Sequence, residues 1–214
     1  MKYIDLRYDW RSMGVFAYVP LGISIFVFLI LLLMGSDLSR VIQFSEMSLP
    51  LFASWWSILL MQEFLEQEGN ETLFSYPLSR YKMGILRVFL FWGLYILVIA
   101  WVIGAKQWVD SPAPHFFSSL FLQLGYESLF YAMVGFLLIV LTKNTVWAMG
   151  IMFVYTSTQF LTHGNLIPWL NIYQLNTELL TVNQLLKPMV KVVIAGVICG
   201  GLAQWLLGRV RTFN

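Results

Sequence analysis

Long apolar runs separated by short polar breaks organise this chain. Six segments approach the ~20 residues that a helix rising 1.5 Å per residue needs to cross about 30 Å of hydrocarbon. They are residues 15–34, 49–64, about 84–104, 116–141, 146–161 and 189–207. The second and fifth are the shortest, and the second opens on Pro50, whose missing amide costs nothing at a helix start. Ahead of them, Tyr3, Leu6, Trp10 and Met13 fall at helical spacing on one face, with Asp5, Asp9 and Ser12 on another. That pattern predicts a helix lying in the interface, its aromatic face among acyl chains and its charges in water; a juxtamembrane turn is the plainer alternative. The first apolar run lacks a small-residue cleavage site and is expected to be retained.

Composition agrees with the pattern. Of 214 residues 59% are hydrophobic and 11% charged, where soluble domains carry about 25% charged residues. The expectation is an all-α integral membrane protein, one domain over residues 1–214. Aromatics reach 17%, which suits rings at the two membrane boundaries. A net charge of +2 is too small to argue for nucleic acid, and the basic residues fall in short loops beside apolar runs, where they set orientation. Cys199 stands alone, and His115 and His163 have no ligand-like spacing, so neither a disulfide nor a metal site is expected.

Orientation follows from the basic residues. With the N-terminus inside, Lys2, Arg7, Arg11, Arg80, Lys82, Arg87, Lys143, Arg209 and Arg211 are cytoplasmic, against Arg40, Lys106, Lys187 and Lys191 outside. Both termini are then cytoplasmic. The outer loops are residues 35–48, 105–115 and 162–188. The last mixes Leu166, Ile167, Trp169, Leu170, Ile172, Leu175, Leu179 and Leu180 with Asn and Gln, predicting short amphipathic outer helices.

Residues 66–82 form a polar island between the second and third spans, on the cytoplasmic side. Gly69 ends the preceding helix, Asn70 caps a new one, and Glu71 favours its positive end. Pro77 limits that helix to one or two turns, and Ser79 caps the third span. Leu73, Phe74 and Tyr76 are left as an apolar knob that needs a partner. The order Glu68-Gly69-Asn70-Glu71-Thr72-Leu73-Phe74-Ser75-Tyr76-Pro77-Leu78-Ser79-Arg80 resembles the first cytoplasmic loop of the permease subunits of type-2 ABC transporters. The layout of interface helix, six spans and long apolar outer segment resembles them too. Asn70 and Glu71 interrupt the family's usual Gly-Thr pair.

The resemblance implies that this segment is a coupling helix docking into an ATP-binding subunit. Glu68, Gly69, Glu71, Thr72, Leu73, Phe74, Tyr76, Pro77, Ser79 and Arg80 would make the contact. It further implies two ATP-binding subunits, holding ATP and Mg, and a second permease subunit, identical or homologous, in a bacterial plasma membrane. The chain has no phosphate-binding loop of its own, so it is not expected to be an enzyme. The implied activity is export of an amphipathic peptide, drug or lipid-like substrate. An envelope-stress sensing complex without net export is the alternative, and a membrane-embedded enzyme would need paired acidic residues where Glu127 stands alone.

Within the spans, Gln123, Glu127 and Tyr131 share one face of the fourth. Glu127 either contacts substrate or a coupled proton, or is a protonated carboxyl bonded to a neighbouring helix. In the resembling family the second and fifth spans line the pathway, which makes Ser54, Ser57, Tyr155, Thr156 and Gln159 lining candidates; hydroxyls bonded to their own helix are the alternative. Gly196 and Gly200 suit close packing, within the bundle or at a dimer seam.

Overall fold

A computed structural model describes residues 6–35, 37–66, 80–110, 115–166, 171–173 and 179–209. Every element among them is helical: α1 (Leu6–Ser12), a 3-10 helix (Gly14–Tyr18), α2 (Val19–Leu33), α3 (Leu38–Leu65), α4 (Arg80–Met83), α5 (Ile85–Asp110), α6 (Phe116–Thr142), α7 (Thr145–Leu161) and α8 (Val182–Arg209). Among the described residues four stretches are long and apolar enough to cross a membrane: Gly14–Leu33, Ile85–Asp110, Phe116–Thr142 and Val182–Arg209. Their outward faces carry large apolar side chains, among them Phe26, Leu97, Trp101, Ile194, Val197 and Ile198. Such a surface requires lipid rather than water.

α6 is the axis of the bundle and packs against α3, α8, α5 and α7. Small residues bring its neighbours close. A side chain at Gly135 would meet Ser54 Cβ at 2.9 Å and its Cα and carbonyl oxygen at 3.1 Å. Gly196 lies 3.4 Å from the Phe130 Cα by the same measure, and Gly200 abuts Met133, whereas Gly201 faces open space. The Gly196–Gly200 pair therefore packs within the bundle.

Three helices run further than the hydropathy suggests. α3 starts at Leu38 rather than 49, so most of the expected outer loop 35–48 is helix. Asp37 caps it, its carboxylate accepting from the Arg40 amide at 3.4 Å, and Val41, Ile42, Ser45 and Leu49 at helical spacing turn inward. Pro50 is consequently inside the helix, not at its start. It has no N–H to offer the Glu46 carbonyl four residues back, and nearby Tyr95 donates its hydroxyl to the Leu49 carbonyl at 2.7 Å. α5 continues to Asp110, which takes Lys106 out of the expected outer loop 105–115 and buries it. Lys106 Nζ donates to the Leu31 carbonyl at 2.6 Å and the Gly35 carbonyl at 2.7 Å, closing the C-terminus of α2, and pairs with Asp110. A cation among carbonyls at a helix C-terminus meets the negative end of the dipole. α8 begins at Val182 rather than 189. The Thr181 amide and hydroxyl both donate to Gln184 Oε1, at 2.9 and 3.0 Å, half of a capping box.

Ahead of α8 the long outer segment contains no helix among its described residues, and 167–170 and 174–178 lie outside them. Ile172 and Tyr173 of this segment are buried against the bundle.

Candidate functional site

Two places in the bundle gather the polar residues. The first is the end where α1 docks. Its inward side carries Asp9 as well as Trp10 and Met13, while Leu6 is exposed; Tyr3 lies outside the described residues. The expected separation of charge from apolar face is thus corrected at Asp9, which is 2% exposed and ion-paired with Arg87 of α5 at 3.2 Å. Burial without that cation would be costly. Trp10 packs edge-on against Trp56 and Tyr18, at 5.5 Å in each case, and stacks on Phe91 at 6.3 Å. Tyr8 donates to Glu63 of α3, and that hydrogen bond holds the phenol's pKa above its ordinary value.

Both flanks of the polar island meet this end. Glu66, just after α3, accepts from the Thr145 amide at 3.1 Å and from the Thr145 hydroxyl, so a carboxylate sits at the N-terminus of α7. On the other flank, Ile85 donates its amide to Gln204 Oε1 of α8 at 2.9 Å. Gly84 permits this closeness, since a Cβ there would meet Leu207 Cδ2 at 2.9 Å. Of the island's candidates, Glu68, Gly69, Glu71, Thr72, Leu73, Phe74, Tyr76, Pro77 and Ser79 lie outside the described residues, and Arg80 opens the one-turn helix α4.

The second place is the middle of α6. Glu127 is fully buried, and Glu46 of α3, also fully buried, faces it together with Gln123. The pairing is a matter of register. α3 and α6 run in parallel, Ser54 touches Gly135, and Glu46 and Glu127 each lie eight residues earlier on their helices, about 12 Å along the axis. Neither oxygen of Glu127 makes a hydrogen bond of ordinary geometry, although Gln123 and Glu46 are near enough to act on it electrostatically. Ser45 Oγ, Gln123 Nε2, the Tyr126 hydroxyl and both amide atoms of Gln159 are likewise buried without such a partner among the described residues.

Tyrosines surround the pair. Tyr126, Tyr155 and Tyr173 all feel the Glu127 carboxyl. Tyr131, one turn along α6, shares hydrogen bonds with Thr156 at 2.9 Å and with Tyr173, which ties the outer segment to the bundle. Thr156 also donates to the Met152 carbonyl at 2.9 Å. The structure therefore brings together Glu127, Tyr155, Thr156 and Gln159 of the sequence-derived candidates, because α6 and α7 run antiparallel. Ser54 and Ser57 stand apart, bonded to the carbonyls of Leu51 and Ala53 at 2.6 and 3.3 Å.

Glu46 is the residue that sequence reasoning missed, having assigned it to a loop. The inward spacing of Val41, Ile42, Ser45 and Leu49 was the available signal. No family model, curated protein or solved structure matches this chain.

On the membrane-facing side of α7 lies a groove of about 510 Å³ lined by Trp147, Ile151, Val154, Tyr155, Gln159 and Leu166, among others. Of these, Tyr155 is also near enough to Glu127 to feel its charge. Among the described residues no three His, Cys, Asp or Glu side chains converge as a metal centre requires.

Proposed function

We propose that this chain is the membrane-spanning permease subunit of an ATP-driven exporter of the type-2 ABC kind. The observation that carries the reading is the order of residues from Glu68 to Arg80, between α3 and α4 in the sequence. In this reading α3 and α7 are spans too. α3 has 28 residues and α7 has 17, about 42 and 26 Å of helix. α3 lies along α6 with much of its length buried, which explains why it tolerates a more polar sequence than a lipid-facing span. Six crossings bring both termini to the cytoplasmic face of a bacterial plasma membrane. Two ATP-binding subunits supply hydrolysis, holding ATP and Mg, and a second permease subunit completes the pathway.

The flanks of the island supply a mechanical route. A push on residues 67–79 acts on Glu66, which holds the start of α7, and on the α4–α5 junction, where Gly84 and Ile85 bear on α8. Motion is thereby passed to two helices as a rigid-body shift rather than absorbed by a loop. Changing Leu73 and Phe74 to Asp leaves the protein inserted but uncouples ATP hydrolysis from transport. Unaltered coupling in reconstituted vesicles containing the ATP-binding partner would remove the basis for this reading.

A further inference from the structure

We propose that the cavity between the start of α6 and the start of α8 binds a phosphate group at the membrane boundary, carried by a lipid headgroup or by free phosphate. The site goes beyond the transport reading and does not depend on it, because it needs only α6 and α8 to cross a membrane.

Register brings the two helix starts together. α6 and α8 run in parallel, Gly196 against Phe130 and Gly200 against Met133. Gly196 and Phe130 each lie fourteen residues from the start of their own helix, about 21 Å along the axis. Val182 and Phe116 are therefore level with each other, at the same end of two helices long and apolar enough to cross a membrane. The cavity between them, about 290 Å³, is lined by His115 and Ser119 on the α6 side and by Leu179, Leu180, Val182 and Asn183 on the α8 side.

Both starts leave amides without an acceptor in their own helix. His115 caps α6 in the left-handed region, at φ 72°, with no side-chain hydrogen bond to those amides. At α8 the Gln184 side chain accepts from the Thr181 amide and hydroxyl and so leaves the Val182 and Asn183 amides unanswered. Two positive dipole ends thus meet at one height, and among the described residues no carboxylate lines the cavity.

Ser119 points to a ligand independently of the dipoles. It is 3% exposed and lines the cavity. The His115 carbonyl one turn back is taken by the Ser119 amide at 3.0 Å and the Ser118 hydroxyl at 3.1 Å. The Ser119 hydroxyl itself makes no hydrogen bond among the described residues, and a buried hydroxyl of this kind calls for a partner. His115 and Asn183, both exposed, carry further N–H donors.

Donors without acceptors narrow the ligand. A cation would face two positive helix ends, and a neutral group would gain little from them. A phosphate group accepts from several N–H and O–H donors at once. Leu179 and Leu180 give the cavity an apolar side, which suits the ester substituent of a headgroup lying at this height. Lys187, exposed and one turn along α8 from Asn183, is on the same face and adds positive potential.

The test uses the full-length chain purified in detergent. Dioleoylphosphatidylglycerol is the probe, and dioleoylglycerol, with the same chains and no phosphate, is its control; bound lipid is counted by native mass spectrometry. The phosphatidylglycerol is expected to bind about tenfold tighter than the control. Asn183→Asp keeps the shape of the side chain but puts a carboxylate in the lining, and lowers that affinity about tenfold. Its unfolding midpoint stays level or rises, because an acidic residue in the first turn favours the helix, so the loss is not one of folding. Ser119→Ala removes the hydroxyl and lowers affinity about threefold or more. In a second arm, a midpoint rise in inorganic phosphate that Asn183→Asp abolishes assigns free phosphate as the occupant, whereas lipid preference without that rise assigns the headgroup; both support the site. Equal binding of the two lipids by the wild-type chain, with no midpoint rise in inorganic phosphate, overturns the proposal however the variants fold. Unaltered phosphatidylglycerol binding in both variants also overturns it. No ATP-binding subunit enters the measurement, so this site and the transport reading fail separately.

Discussion

The contact between Ser54 and Gly135 governs the distance between α3 and α6, and Gly135→Ala is the most direct way to disturb it. The added methyl would lie 2.9 Å from Ser54 Cβ and 3.1 Å from the Ser54 Cα and carbonyl oxygen. Two of those atoms are backbone and cannot rotate away. Restoring ordinary carbon–carbon separation of roughly 3.5–4.0 Å requires the helices to part by about 0.5–1 Å. Overpacking of this kind costs about 1–3 kcal/mol. Because Glu46 and Glu127 lie about 12 Å along the same seam, the separation also loosens the carboxyl pair. Thermal unfolding in detergent measures the loss. Adding Ser54→Gly removes the Cβ contact but leaves the Cα and carbonyl contacts, so it should recover part of the stability, with a coupling of about 0.5 kcal/mol or more. If Gly135→Ala unfolds within about 0.5 kcal/mol of wild type, or if the two changes simply add, the seam does not set the spacing.

Lys106→Met removes the cation that closes the end of α2 and leaves the Leu31 and Gly35 carbonyls and Asp110 without it. A loss of about 1–3 kcal/mol is expected, seen as a lower unfolding midpoint, and an unchanged midpoint would show that water replaces the ammonium. Asp9→Asn keeps the shape of the side chain but removes the charge facing Arg87. The expected cost is roughly 1–3 kcal/mol, less than for a fully buried pair, because Arg87 keeps its place over the Phe64 ring at 5.1 Å. It should appear as faster hydrogen exchange in residues 6–12 with α6 unaffected; equal exchange in the variant and wild type would mean that Trp10 alone holds α1.

Hydropathy alone located the apolar runs that became α2, α5, α6 and α8, since a lipid-facing helix must be apolar along its length whatever it packs against. The ends of α6 and α7 were legible to within a residue for a related reason. Asn144 caps α7 by accepting from the Trp147 amide, and such polar stops interrupt an apolar run visibly. The same criterion fails for a helix enclosed by others. α3 and the end of its neighbour α5 carry Glu46 and Lys106, which look like loop residues in sequence. Each has specific groups opposite it: Glu127 for Glu46, and the carbonyls closing α2 for Lys106. Whether a polar residue lies in water or in the core depends on what another helix presents at the same height. Tertiary packing decided that for Asp9 and Glu46, through Arg87 in the one case and the Ser54–Gly135 register in the other. A single strand of sequence contains both members of each pair but not the distance between them.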